Sequence, residues 1–121
     1  MTVRRIIEKT DRLFPNIFPF SVKAMWLQEL DKRILSDLLT KYENFPVREI
    51  SFYDEEPESV LLVPEEYSEL YTRFLAMQFD IVSGDTARYQ NSSALYNGAY
   101  LSFMNSVNRK NTHKPVYIIV E

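Results

Sequence analysis

Apolar residues recur at helical spacing along most of this chain, interrupted where prolines cluster. Val3, Ile6, Ile7 and Leu13 share one side of a first helix, with Arg4, Arg5, Glu8 and Arg12 mostly outside and Thr2 placed to cap it. The connection FPNIFPF, from Phe14 to Phe20, contains Pro15 and Pro19 and cannot continue as helix. Ser21 offers a second N-cap, and Val22, Trp26, Leu30, Ile34 and Leu38 then carry a helix to about Thr40. From Lys41 to Val63 the periodicity breaks. Within it the stretch VREISF has the β-branched and aromatic residues of a short strand at about 47–53, and the acidic run Asp54, Glu55, Glu56 and Glu58 reads as a solvated loop.

Pro64 fits the first position of a third helix, where Glu65, Glu66 and Glu69 suit the positive end of the helix dipole. Tyr67, Leu70, Tyr71, Phe74, Ile81 and Val82 line one face, with Glu69, Arg73 and Asp80 opposite. Gly84 is placed to end this helix and Asp85 to cap the next, which predicts an antiparallel helical hairpin of about 64–83 and 85–108. Its expected core is Tyr67, Leu70, Tyr71, Phe74, Ile81, Tyr89, Tyr96, Tyr100 and Phe103. A β-prone run from Val116 to Val120 predicts a second short strand, at about 116–120, pairing near Ile50 and Phe52. The expected class is mainly α. It comprises about four helices with a long hairpin and a small β element, as a single domain over residues 1–121.

Charge changes the picture at one place. From Tyr89 to Asn108 there is no Asp, Glu, Lys or Arg, although the rest of the chain is ordinarily charged. A solvated helix normally carries charge on its outer face. At 100° per residue, Tyr89, Ser93, Tyr96, Tyr100, Phe103 and Val107 fall on one arc of the fourth helix, while Asn91, Ala94, Gly98, Leu101 and Asn105 fall on another. The first arc is the partner for the third helix. The second has small residues that allow a close approach and asparagines that hydrogen-bond without the desolvation cost of a charge. Two arrangements fit it: a central helix buried within one subunit, or an interface between subunits. The polar residues of the segment, Gln90, Asn91 and Asn97 among them, make it unsuitable as a membrane span.

Composition removes several classes of chemistry. Glycine occurs twice, which argues against a phosphate-binding loop, and the absence of cysteine excludes disulfides and thiolate metal sites. His113 is the single histidine and has no ligand or nucleophile at a supporting spacing, so no catalytic, metal or cofactor residues are expected and the chain is not expected to be an enzyme. A net charge of −3 gives no general attraction to nucleic acid or anionic lipid. The N-terminal MTVRRIIEKTDRLF alternates charged and apolar residues, unlike a secretory signal, so a cytoplasmic setting is expected.

The stretch LLVPEEYSELYTRFLAMQFDIVSGDTARYQNSSALYNGAYLSF carries an ordered series: Leu62-Val63-Pro64, Tyr67, Leu70-Tyr71, Ala76, Asp80, Gly84, Arg88-Tyr89, Asn91, Asn97 and Ala99. With the upstream WLQELDKRI, Trp26 to Ile34, this series resembles small prophage-encoded proteins of Gram-positive bacteria, the phage head–tail connector or head-completion adaptor family. It differs from that pattern at Asp85, where glutamate is more usual, and at Gly98. The resemblance implies a structural virion protein that assembles as a ring with itself under the portal protein and receives a neck or tail-completion protein. DNA would pass through the channel without specific binding, with no membrane, cofactor or small-molecule substrate. It also implies a place in the bacterial host cytoplasm during assembly and then in the virion. The alternative is a small regulatory or DNA-binding protein from a mobile element. That would need a basic recognition helix, whereas the first helix, densest in Arg and Lys, is short and also acidic.

Overall fold

The computed structural model of the chain describes residues 1–111. Four α-helices follow one another, α1 (Val3–Leu13), α2 (Phe20–Lys41), α3 (Glu69–Ser83) and α4 (Thr86–Lys110), with a 3-10 turn at Glu65–Tyr67 ahead of α3. The mainly helical class and the long hairpin expected from periodicity are both present.

Thr2 caps α1, its hydroxyl oxygen accepting from the Arg5 amide at 3.2 Å. Val3, Ile6 and Ile7 are buried, and Thr10 joins them because its hydroxyl donates to the Ile6 carbonyl at 2.7 Å and lies 3.2 Å from Thr72 Oγ1 of α3. Leu13 is exposed instead of buried, since α1 ends there and the chain turns away through Phe14. α2 starts two residues earlier than expected: Pro19, with φ −62° and ψ 154°, is the N-cap, and Ser21 lies inside the helix. Proline's fixed φ suits this entry to a helix. The buried stripe of α2 runs through Lys23, Ala24, Leu27, Leu30, Asp31, Ile34, Leu35 and Leu38. Val22 and Trp26 sit at its margin, where Trp26 packs edge-on against Phe18 and lies 6.2 Å from Phe79.

The strand expected at about 47–53 does not form; those residues are irregular. Backbone and side-chain groups there are engaged by other partners. The Tyr53 amide donates to Gln28 Oε1 at 3.1 Å, the Glu55 and Glu56 amides both turn back to the Phe52 carbonyl, and Arg48 reaches the carbonyls of Val60 and Leu61. Extended pairing occurs instead between the N-terminus and Val60, in an antiparallel bridge from Thr2 supported by Val3 N to Ser59 O and Leu61 N to Met1 O, each 3.0 Å. The second expected strand, 116–120, lies outside the described residues. The acidic run from Asp54 to Glu58 is exposed at each of its carboxylates.

Pro64 does not open α3. The chain first makes a tighter turn in which the Tyr67 amide bonds to the Pro64 carbonyl and Ser68 Oγ donates to Glu65 O at 2.7 Å, and the α-helix begins at Glu69. α3 is buried on nearly every side: Leu70, Tyr71, Thr72, Phe74, Leu75, Ala76, Met77 and Phe79 are all in the interior, and α1, α2 and α4 all pack against it. A helix this apolar around its circumference belongs in the middle of a bundle. Gly84, at φ +71°, closes α3 in the left-handed conformation that glycine adopts without steric cost, and Asp85 caps α4 by accepting from the Arg88 amide at 3.0 Å.

Two expected core residues fall outside. Ile81 is exposed, and so is Tyr89. Every residue from Ile81 to Asn91 except Asp85 is exposed, so no described element covers the hairpin turn. Below the turn, the inner arc of α4 behaves as expected. Phe103 and Val107 are buried, Tyr96 and Tyr100 are half-buried, and Tyr67 lies against Phe103 with ring centroids 5.9 Å apart. Phe74 and Tyr96 meet at 5.4 Å, and the Arg33 guanidinium sits 5.9 Å above the Phe74 ring.

Phe74→Ala removes a ring that is 3% exposed from the junction of α2, α3 and α4. It should destabilise the chain by about 3–5 kcal/mol. Thermal unfolding followed by circular dichroism measures this, and a near-neutral effect would contradict the packing described.

Candidate functional site

Two features stand out as places where this chain could do something: a carboxylate in its interior and an uncharged face on its exterior. The carboxylate is Asp31, fully buried on the apolar stripe of α2. Its Oδ1 accepts from the Tyr71 hydroxyl of α3 at 2.6 Å. Its Oδ2 accepts from the Tyr53 hydroxyl at 2.6 Å and from the Leu62 amide at 3.0 Å. The Tyr71 oxygen in turn accepts from the Val63 amide at 2.8 Å. One carboxylate therefore joins α2, α3 and two points of the irregular 43–64 segment.

Burial pushes the Asp31 pKa above its ordinary 3.8, outweighing the opposing pull of the two tyrosine hydroxyls, the Leu62 amide and the Arg48 charge. The same burial, with the neighbouring Asp31 charge, drives the Tyr53 and Tyr71 hydroxyls far upward, so both stay protonated donors. Asp31 lines neither the groove beside the α1–α2 connection nor the one along α2 near Arg48. With its oxygens occupied by protein donors and no opening to solvent, Asp31 is a fastener in the fold. A second buried charge does similar duty. The Lys23 ammonium contacts both oxygens of Asp11, at 2.8 and 3.0 Å, and Asn16 Oδ1 at 3.2 Å. Among the described residues no group of three His, Cys, Asp or Glu side chains could hold a metal, and no helix is long and apolar enough to cross a membrane. His113 lies outside the described residues.

The exterior feature is the outer arc of α4. Asn91, Ala94, Gly98, Leu101 and Asn105 are brought together as expected, and all five are exposed. Of the two arrangements that fitted the uncharged segment, burial inside the subunit is not the one observed: α3 takes the central position, and no described element lies over this arc. Leu101 is 59% exposed, and a Cβ placed on Gly98 would meet nothing within 4 Å. No packing among the described residues therefore requires glycine there, although glycine costs about 1 kcal/mol against alanine in a helix interior. The stripe is about 20 Å long at 1.5 Å per residue.

Sequence periodicity located this arc but missed Asp31 and Lys23. Both carried a signal. Asp31 stands four residues after Leu27 and three before Ile34, and Lys23 four before Leu27, so each is a charged residue on the apolar face of a helix. Such a residue must find a partner in the interior.

Asp31→Ala leaves the Tyr53 and Tyr71 hydroxyls and the Leu62 amide without their acceptor and should cost about 3–5 kcal/mol at neutral pH, read as a lowered thermal midpoint. The sign of its pH dependence also follows. Because the folded-state pKa is raised, the folded chain holds this proton more tightly than the unfolded chain does. The contribution is then complete below the unfolded value and declines as pH rises through the folded one. The stability difference between the natural chain and Asp31→Asn should therefore shrink as pH is raised from about 3 toward neutrality. A difference that grows with pH would reverse the assignment.

Comparison with known protein families, curated proteins and solved structures finds no match to this chain.

Proposed function

We propose that this chain is a structural virion protein of the head–tail connector class. Its copies assemble as a ring under the portal protein, continuing the DNA channel and receiving a neck or tail-completion protein. The observation that carries this reading is the exposed, uncharged stripe of α4. A helix face left in water without charge, over about four turns, is a liability for a monomer and an asset at a subunit contact. Asparagines at its two ends can satisfy one another across a contact, and Ala94 and Gly98 allow close approach of backbones. The resemblance of the ordered residue series to connector proteins is what points to the specific class.

The rest of the molecule suits that role. Its buried ionisable groups are engaged in holding the fold, and its net charge of −3 favours DNA sliding past over DNA being held. Assembly would take place in the bacterial host cytoplasm before incorporation into the virion.

Ala94→Glu combined with Gly98→Glu places two carboxylates on the stripe. Light scattering, with and without portal protein, should show higher assemblies abolished while circular dichroism stays helical. Normal assembly by the folded variant would remove the stripe from the interface, and a mobility shift of DNA at moderate salt would favour the regulatory alternative. Gly98→Ala supplies a finer test. It should stabilise the isolated subunit by up to about 1 kcal/mol, since the added methyl has free space and alanine is the better helix former, yet weaken assembly if backbones approach closely there.

A further inference from the structure

A second surface that no described residue covers lies where the α1–α2 connection faces the hairpin turn. There a groove of about 900 Å³ opens between the two, with Phe18 stacked on Phe79 at 5.2 Å and with Val82 and Leu95 along its side. At its rim stands Ile17, which is 97% exposed. An isolated exposed isoleucine is unremarkable on a mobile loop, but this loop is held in place. Asn16 Nδ2 donates to Asp11 Oδ1 and to the Phe14 carbonyl, both at 2.9 Å, and Asn16 Oδ1 accepts from the Phe18 amide at 3.1 Å. The buried Lys23 ammonium bonds both Asp11 and Asn16, fastening the loop to α2. The fold thus spends a buried charge and a side-chain network on presenting an apolar projection to water. Ordering of that kind lowers the entropic cost of docking.

The charges around the groove indicate what docks there. Arg73 is occupied by Glu69 at 3.2 Å. Asp80 and Arg88 also line the groove, and neither side chain has an ion-pair or hydrogen-bond partner among the described residues. One surface therefore presents a projection, a hollow, and one unmatched charge of each sign. A twofold axis placed between Asp80 and Arg88 sets each opposite the other in the second copy, because in an isologous contact residue i meets j and j meets i.

We propose that this groove is a twofold contact between two copies of the chain, each seating its Ile17 in the other's groove and pairing its Asp80 with the other's Arg88. The contact touches the α4 stripe only at Asn91, which lines the groove as well, and it does not rest on the connector reading.

The test uses the full chain with the stripe silenced by Ala94→Glu and Gly98→Glu, and independently by Leu101→Glu at another exposed position. Sedimentation velocity over a range of concentrations should show a reversible dimer. Ile17→Glu in these backgrounds should weaken it at least tenfold while helicity is unchanged. Asp80→Arg alone and Arg88→Asp alone should each weaken it as well, since each places like charges together twice. An equimolar mixture of those two variants should recover the dimer, because every mixed pair regains both opposite-charge contacts. A chain that stays monomeric throughout, a dimer indifferent to Ile17→Glu, or a mixture that fails to recover would each overturn the proposal. None of these results bears on assembly through an intact stripe, so the two surfaces are judged separately.

Discussion

The burial of α3 on nearly all sides is the constraint from which the arrangement of the other elements follows. Leu70, Tyr71, Phe74, Leu75, Met77 and Phe79 point in too many directions for one partner to cover. α1 covers part of the surface, with the paired Thr10 and Thr72 hydroxyls marking a point of contact, α2 covers another part, and the inner arc of α4 a third. α4 has 25 residues against the 15 of α3, and it lies on the outside of this cluster. Having α3 at the centre is what leaves α4 with one face turned away from the bundle.

The irregular half of the molecule is organised by polar rather than apolar means. Between α2 and the turn before α3 the chain has no regular element to bury its backbone groups, and hydrogen bonds to buried side chains take their place. Asp31 holds Leu62 directly and Val63 through Tyr71, while Gln28 holds Tyr53, so two polar residues on one turn of α2 set the path of the segment. Burying a carboxylate is costly, as the upward shift of its pKa records, and three converging donors offset much of that cost. Lys23 repeats the arrangement near the start of α2, where it fixes the connection that carries Ile17. Both buried charges thus position segments of irregular chain against a helical frame.

Against this frame the two unpartnered surfaces differ in character. The α4 stripe is smooth, small-residue and uncharged, and suits side-by-side packing of helices. The groove beside Ile17 is shaped and charged, and suits insertion. Among the described residues, the tightly held charges Asp31 and Lys23 both serve the architecture.

Local pattern alone determined the helices, the cap at Thr2, the stop at Gly84 and the cap at Asp85, because these depend on residues within a few positions of one another. It also determined that Asn91, Ala94, Gly98, Leu101 and Asn105 would share an arc, since helical geometry needs no tertiary information. Whether that arc was inside or outside was a question of which helix occupies the centre, and only the packing of α3 answered it. The same packing left Ile81 and Tyr89 outside the core: their periodicity was correct, but no described element covers them at the hairpin turn. The expected strand at 47–53 was lost for a related reason. Its β-prone residues had the right propensity, but a strand forms only with a partner at hand, and the groups within reach were Gln28, Asp31 and the carbonyls of Val60 and Leu61. Asp31 and Lys23 were visible as charges on an apolar face, but their partners lie on other elements, so what they hold together was decided by the tertiary structure.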